Sequence, residues 1–117
     1  MYLFDSEDQV RALAPDFRAL LVASDLPVIV TAPGDEVDFV SRFFGPQVGI
    51  DEDPVTGSAH CALVPLWAEK LGKTELTARQ VSKRGGDLLC ELKCNRVLLR
   101  GQAITFLRGE IELPDQG

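Results

Sequence analysis

Apolar positions change their period twice along the chain, and each change predicts a change of secondary structure. Tyr2–Phe4 is a short apolar run and predicts a strand. Ser6-Glu7-Asp8-Gln9 has the form of a capping box, and Val10, Leu13 and Ala14 follow it at helical spacing. Pro15 interrupts this helix, and a second short one restarts through Phe17, Leu20 and Leu21. Val28-Ile29-Val30-Thr31 is continuous and β-branched, the pattern of a buried strand. Pro33-Gly34-Asp35 signals a turn, and Val37–Phe44 alternates in part, predicting a further strand.

Gly45–Ser58, rich in glycine, proline and acids, reads as a loop. Ser58–Leu71 then reads as a helix whose apolar residues cover nearly every direction, so a helix buried all round is expected. Pro65 lies inside it, lacks an N–H and crowds the Cys61 carbonyl, so a kink is expected there. From Glu75 the period becomes that of strands: Glu75–Lys83, Asp87–Lys93, Val97–Arg100 and Gln102–Leu113, separated by turn residues, predict an antiparallel meander. The simplest architecture is one α+β domain over 1–117, a curved, mostly antiparallel sheet wrapped around one central buried helix.

Composition narrows the function. A 45% hydrophobic fraction in 117 residues supports a real core. A net charge of -6 argues against a dedicated nucleic-acid binder, which would show a basic patch. The longest apolar stretch, Ala59–Ala68, is too short to cross a bilayer, so no membrane association is expected. The N-terminus has no basic region ahead of an apolar one, as a signal peptide would, and a cytoplasmic location is expected. Cys61, Cys90 and Cys94 are too few and too oddly spaced for a disulfide framework or a zinc site; buried free thiols are the simpler expectation, with Cys61 packed in the core.

Chemistry concentrates in Asp51-Glu52-Asp53-Pro54-Val55-Thr56-Gly57-Ser58-Ala59-His60, which runs straight into the long helix. The first turn of a helix presents N–H groups without intrahelical partners. Thr56 and Ser58 are both good capping residues, and Gly57 has no Cβ to keep a ligand away from the backbone. Such a helix end suits an anion, a substrate carboxylate among them. Asp53 stands beside it, placed to act as a general acid or base. The same residues are also ordinary turn and capping chemistry. His60, near the helix start, reads as a surface or capping neighbour.

Glu52–His60, followed by Cys61-Ala62-Leu63, closely resembles the signature of the PhzF-like, or phenazine-biosynthesis-like, family. Val28–Ala32, Phe39–Phe44, Arg79–Ser82 with Arg84-Gly85-Gly86, and Gly101-Gln102-Ala103 agree with it in the same order. The resemblance implies the diaminopimelate-epimerase-like fold, with two similar domains and an active site in the cleft between them. It implies no metal and no organic cofactor, and an isomerisation carried by proton transfer on a small carboxylated metabolite. By it, Asp53 matches the family's active-site aspartate, Gly57 and Ser58 match its substrate-binding turn with Thr56 alongside, and Gly85 and Gly86 are expected near the cleft. The family's catalytic glutamate belongs to the N-terminal domain, whereas this chain resembles the C-terminal one. Two routes to a complete cleft follow: a missing N-terminal domain, or a homodimer in which Asp53 or Glu52 of one copy replaces the glutamate. The alternative is a non-catalytic module that binds a small anion or a protein partner.

Overall fold

Side-chain alternation along one central strand sorts this molecule into two cores. The computed structural model describes residues 1–114. It contains β1 (Tyr2–Leu3), α1 (Glu7–Ala12), α2 (Phe17–Ala23), β2 (Val28–Pro33), β3 (Phe39–Gly45), β4 (Ile50–Asp53), α3 (Gly57–Leu71), β5 (Glu75–Gln80), β6 (Gly86–Lys93) and β7 (Arg96–Arg100). All seven strands join one mixed sheet, with β1–β2 and β3–β5 parallel and the other pairs antiparallel. The class is α+β, as the patterning implies.

β3 is the pivot. β2 lies along one of its edges, from Pro33↔Phe39 to Val28↔Phe44. Its other edge is divided. β5 runs parallel to the first half and ends at Ser41↔Gln80, while β4 runs antiparallel to the second half and ends at Phe43↔Asp53. The last residues of β4 and β5 therefore converge opposite Arg42.

Odd-numbered residues of β3 face α3 and even-numbered ones face α1 and α2, as the twofold period of a strand requires. Phe39 and Phe43 pack with Leu63, Val64 and Trp67 of α3. Val40 and Phe44 pack with Val10, and with Leu13, Phe17 and Leu20 around it. In the α3 core, Phe39 stacks on Trp67 with centroids 5.6 Å apart, and its ring lies 5.9 Å from that of His60. The Trp67 indole N–H donates to the Thr31 hydroxyl, which donates to the Val40 carbonyl, so these two side chains are paired within that core.

Several expectations need correction. α3 is not buried all round: Ala59, His60, Leu63, Val64, Trp67 and Ala68 face the sheet, while Cys61, Ala62 and Pro65 are exposed. One sheet covers only one side of a helix, and that geometry leaves Pro65 at a face where water can serve the Cys61 carbonyl. Cys61 and Cys94 are consequently exposed, the latter in the β6–β7 turn, and only Cys90 is buried. The Gly45–Ser58 loop contains a short 3-10 turn and β4, because Ile50–Asp53 finds the unoccupied half of the β3 edge. Gln102–Leu113 forms no strand, since no neighbouring strand lies beside it among the described residues.

The N-terminal cap forms with one shift. Ser6 Oγ accepts the Gln9 N–H, but Gln9 Oε1 reaches back to the Asp5 N–H rather than to that of Ser6.

His60 is fully buried rather than at the surface, and burial lowers its pKa from 6.5 although its bond to the Thr56 carbonyl opposes the shift. The neutral ring is thus favoured in the folded state. Stability from this group is complete above pH 6.5 and declines as pH falls toward the lower folded value. Denaturant titrations should show that decline as pH falls below 6.5, and His60→Gln, removing the chain's one histidine, should flatten it. Glu7 and Asp38 are held below their ordinary pKa values of 4.5 and 3.8: burial pushes each up, but bonds from the Asp35 N–H and Arg11, and from Lys73 and Thr77, outweigh it. Both stabilise the fold above those values and lose that contribution only as pH falls below them. Leu63→Ala at the centre of α3 should cost about 2–5 kcal/mol in the same assay at pH 7.

Candidate functional site

Where β4 and β5 end against each other, one side chain holds the two ends together. Gln80, fully buried at the last position of β5, faces the same side as Leu76 and Ala78. Its Nε2 donates to the Asp53 carbonyl at 2.8 Å and to Thr56 Oγ1 at 3.0 Å, and its Oε1 accepts the Thr56 N–H at 2.8 Å. The turn from β4 into α3 is thus gripped at both its ends by one amide, within the interior where such bonds are strongest.

Thr56 occupies the N-cap position of α3 but does not cap it. Its hydroxyl donates to Asp53 Oδ2 instead, and its carbonyl meets His60 Nδ1 at 2.7 Å. A carbonyl oxygen can only accept, so this ring donates from Nδ1. The opening amides of the helix, with Gly57 and Ser58 exposed, are left without a side-chain partner. A Cβ added at Gly57 would meet nothing within 4 Å, so internal packing does not demand glycine there. The space in front of the turn is open.

Asp53 is half-buried on the α3 side of the sheet, beside this open turn. Glu52, one residue earlier, points to the opposite face. It makes a two-pronged pair with Arg42, Nε to Oε1 at 2.7 Å and Nη2 to Oε2 at 2.9 Å. Arg42 Nη1 in turn donates to the carbonyls of Val10 and Leu13 at the end of α1. Glu52, expected as one stand-in for the missing glutamate in a second copy, therefore does not lie beside Asp53. Strand alternation turns it away from the site and a fixed guanidinium occupies both its oxygens.

The β5–β6 turn braces the same segment from the other side. Ser82 Oγ donates to the Pro54 carbonyl at 2.8 Å and accepts the Gly85 N–H at 3.0 Å. Gly85 has a φ of 69°, a conformation that favours glycine. A Cβ at Gly86 would fall 2.3 Å from Val55 Cγ2, so glycine at 86 is what lets Val55 lie against the turn. Val55, Gly85 and Gly86 line an open cleft of about 570 Å³ together with Arg84, Gly101 and Gln102.

The tertiary structure thus brings Asp53, Thr56, Gly57 and Ser58 into one turn and sets Gly85 and Gly86 against it through Ser82 and Val55. Sequence reading passed over Gln80, Ser82 and the Arg42–Glu52 pair. A signal existed for Gln80: it shares the inward parity of Leu76 and Ala78, and an inward amide at a strand end requires partners. Ser82 and Arg42 carried no comparable signal, since both bonds depend on a register known only from the fold.

Comparison with known proteins places the chain in a family. An uncharacterized isomerase of Pseudomonas aeruginosa is 54% identical over 113 residues, covering 97% of this chain and 43% of its own. An uncharacterized isomerase of Halalkalibacterium halodurans is 51% identical over 111 residues, covering 93% of this chain and 42% of its own. The crystal structure of a putative phenazine biosynthesis PhzC/PhzF protein from Clostridium difficile superposes with a TM-score of 0.84 at 47% identity, covering 95% of this chain and 43% of that one. The chain spans less than half the length of these relatives. The family model for phenazine biosynthesis-like proteins (PhzC-PhzF) matches residues 1–109, and the chain belongs to that family.

Proposed function

We propose that this chain is the part of a proton-transfer isomerase that holds the carboxylate of a small metabolite and contributes one of its two acid–base groups. The observation that carries the reading is the uncapped, exposed start of α3 at Gly57 and Ser58, with the Asp53 carboxylate beside it. Relatives of this chain named as isomerases support the reaction class.

In this reading the Gly57 and Ser58 amides bind the substrate carboxylate at the positive end of a 15-residue helix. Asp53 takes a proton from a carbon near that carboxylate, and the C–H electron pair moves into the adjoining unsaturated system. A second acid returns a proton at another carbon, completing the isomerisation with no net change in atoms. Among the described residues, Glu52 is withdrawn to the other face, so the second acid comes from the rest of a full-length family member or from a second copy of the chain. Gln80 and the Thr56 hydroxyl act as positioning groups, fixing Asp53 relative to the amides.

Deuterium incorporation from D2O into candidate carboxylates tests the reaction. Incorporation is expected when the remainder of a full-length relative is present, and Asp53→Asn should reduce it by roughly 10²–10⁴-fold without unfolding the chain. Undiminished incorporation in Asp53→Asn removes that residue from the mechanism. Anion binding without any incorporation favours the non-catalytic module instead.

The binding half is tested separately. In NMR titrations with benzoate and anthranilate, the Gly57 and Ser58 amides should shift most. Gly57→Ala should weaken that binding while leaving stability unchanged or raising it by about 0.4–1 kcal/mol, because the protein leaves room for the methyl group and alanine loses less chain entropy on folding. Gln80→Leu should weaken the same binding and also cost about 1–3 kcal/mol for each buried turn group left unpaired.

A further inference from the structure

Among the buried residues of α3, His60 is the polar one; Ala59, Leu63, Val64, Trp67 and Ala68 are apolar. Its ring is fully buried and lies 5.9 Å from that of Phe39, tilted by 36°. One of its two nitrogens is used. Nδ1 meets the Thr56 carbonyl at 2.7 Å, while Nε2 has no hydrogen-bond partner among the described residues. A hydrocarbon side chain would fill this place without burying an unpaired nitrogen, so packing alone does not select histidine here. What the ring adds is one donor, aimed at Thr56.

The Thr56 carbonyl does not need that donor for its own satisfaction. As the N-cap carbonyl it already accepts the first intrahelical bond. Its importance lies in the group to which it is bonded. The Thr56 carbonyl and the Gly57 N–H belong to one peptide unit, planar and trans, so they point in opposite directions. Thr56 is buried and Gly57 is exposed. With its carbonyl fixed to an interior ring, the unit presents its N–H to the open side of the turn.

A side chain in a helix leans back over the preceding turn, which is how residue 60 reaches residue 56. Thr56 is then held at all its polar groups. Gln80 Oε1 takes its N–H, Asp53 and Gln80 Nε2 hold its hydroxyl, and His60 holds its carbonyl. Gly57, without a Cβ, offers little resistance to rotation of the peptide unit before it, and the His60 bond supplies that resistance. A donor on a carbonyl also polarises the amide and makes the N–H across it a stronger donor.

We infer that His60 is a positioning residue for the candidate site: from the interior it anchors the Thr56 carbonyl, and through the rigid Thr56–Gly57 peptide it aims the Gly57 N–H at the carboxylate and strengthens it as a donor. The inference rests on the reading of Gly57 as a carboxylate-binding amide and assigns the side chain that orients it. His60 acts through the peptide and not on the substrate.

Nuclear magnetic resonance on the full chain tests it. In the ligand-free protein, long-range proton–nitrogen correlation spectra should show the His60 proton on Nδ1; a proton on Nε2 instead overturns the inference. His60→Phe keeps a ring against Phe39 and deletes the donor, whereas His60→Asn keeps a donor near the Nδ1 position and loses the ring. The ligand-free Gly57 amide proton should move upfield in His60→Phe and return toward its original position in His60→Asn. Benzoate binding should weaken by roughly 3–10-fold in His60→Phe, the worth of one net hydrogen bond, and recover to within about twofold in His60→Asn, although denaturant should show His60→Asn to be the less stable. Leu63→Ala opens the same core at a residue with no polar group to offer Thr56, and should leave the Gly57 resonance and benzoate affinity unchanged. Affinity that follows stability, lower in His60→Asn than in His60→Phe, overturns the inference, as does a Gly57 amide that does not respond to His60→Phe. If benzoate fails to shift Gly57 in the unsubstituted chain, the carboxylate reading falls, and the ligand-free Gly57 shift still decides whether His60 orients that amide.

Discussion

The candidate site depends on one buried amide. Two strands share one edge of β3 and their ends collide opposite Arg42, leaving backbone groups that neither strand can satisfy. Gln80 has both a donor and an acceptor, and it satisfies the Asp53 carbonyl and the Thr56 N–H together. A carboxylate at this position could not donate, and a hydroxyl has one donor hydrogen where Gln80 Nε2 donates twice. Because Gln80 also engages the Thr56 hydroxyl, that hydroxyl is held toward Asp53 and away from the helix start. The uncapped helix end is therefore a consequence of how a flaw in the sheet is repaired.

Strand parity then separates two neighbouring acids into two unrelated roles. Glu52 and Asp53 are adjacent, yet alternation sends them to opposite faces of the sheet. Glu52 meets Arg42 and, through it, the carbonyls at the end of α1, and so ties the helical layer to β3 and β4. Asp53 stays on the α3 side, where its contacts are a hydroxyl and an open turn. No rule based on residue type distinguishes these acids; the face of the strand does.

The exposed apolar surfaces share one explanation in the size of the domain. A single sheet covers one side of α3, so Cys61, Ala62 and Pro65 lie open on the other. The segment after β7 leaves large apolar side chains exposed. A chain spanning less than half of its relatives' length has few elements with which to close such faces.

Much of this architecture was legible in the amino-acid sequence because it is set by local chemistry. β-Branched runs marked β2, the proline and glycine punctuation marked the turns, and Asp53-Pro54-Val55-Thr56-Gly57-Ser58 marked the start of α3. These features depend on residues close together in the chain, where propensity and capping decide the outcome. Other features needed the fold. That β4 would form in an apparent loop and that Gln80 would reach Thr56 follow from the divided edge of β3; that His60 would be buried and α3 would keep an open face follow from one sheet covering one side of the helix. Pairing between distant segments is decided by which edges remain unoccupied after the sheet assembles, and that is a property of the tertiary structure alone.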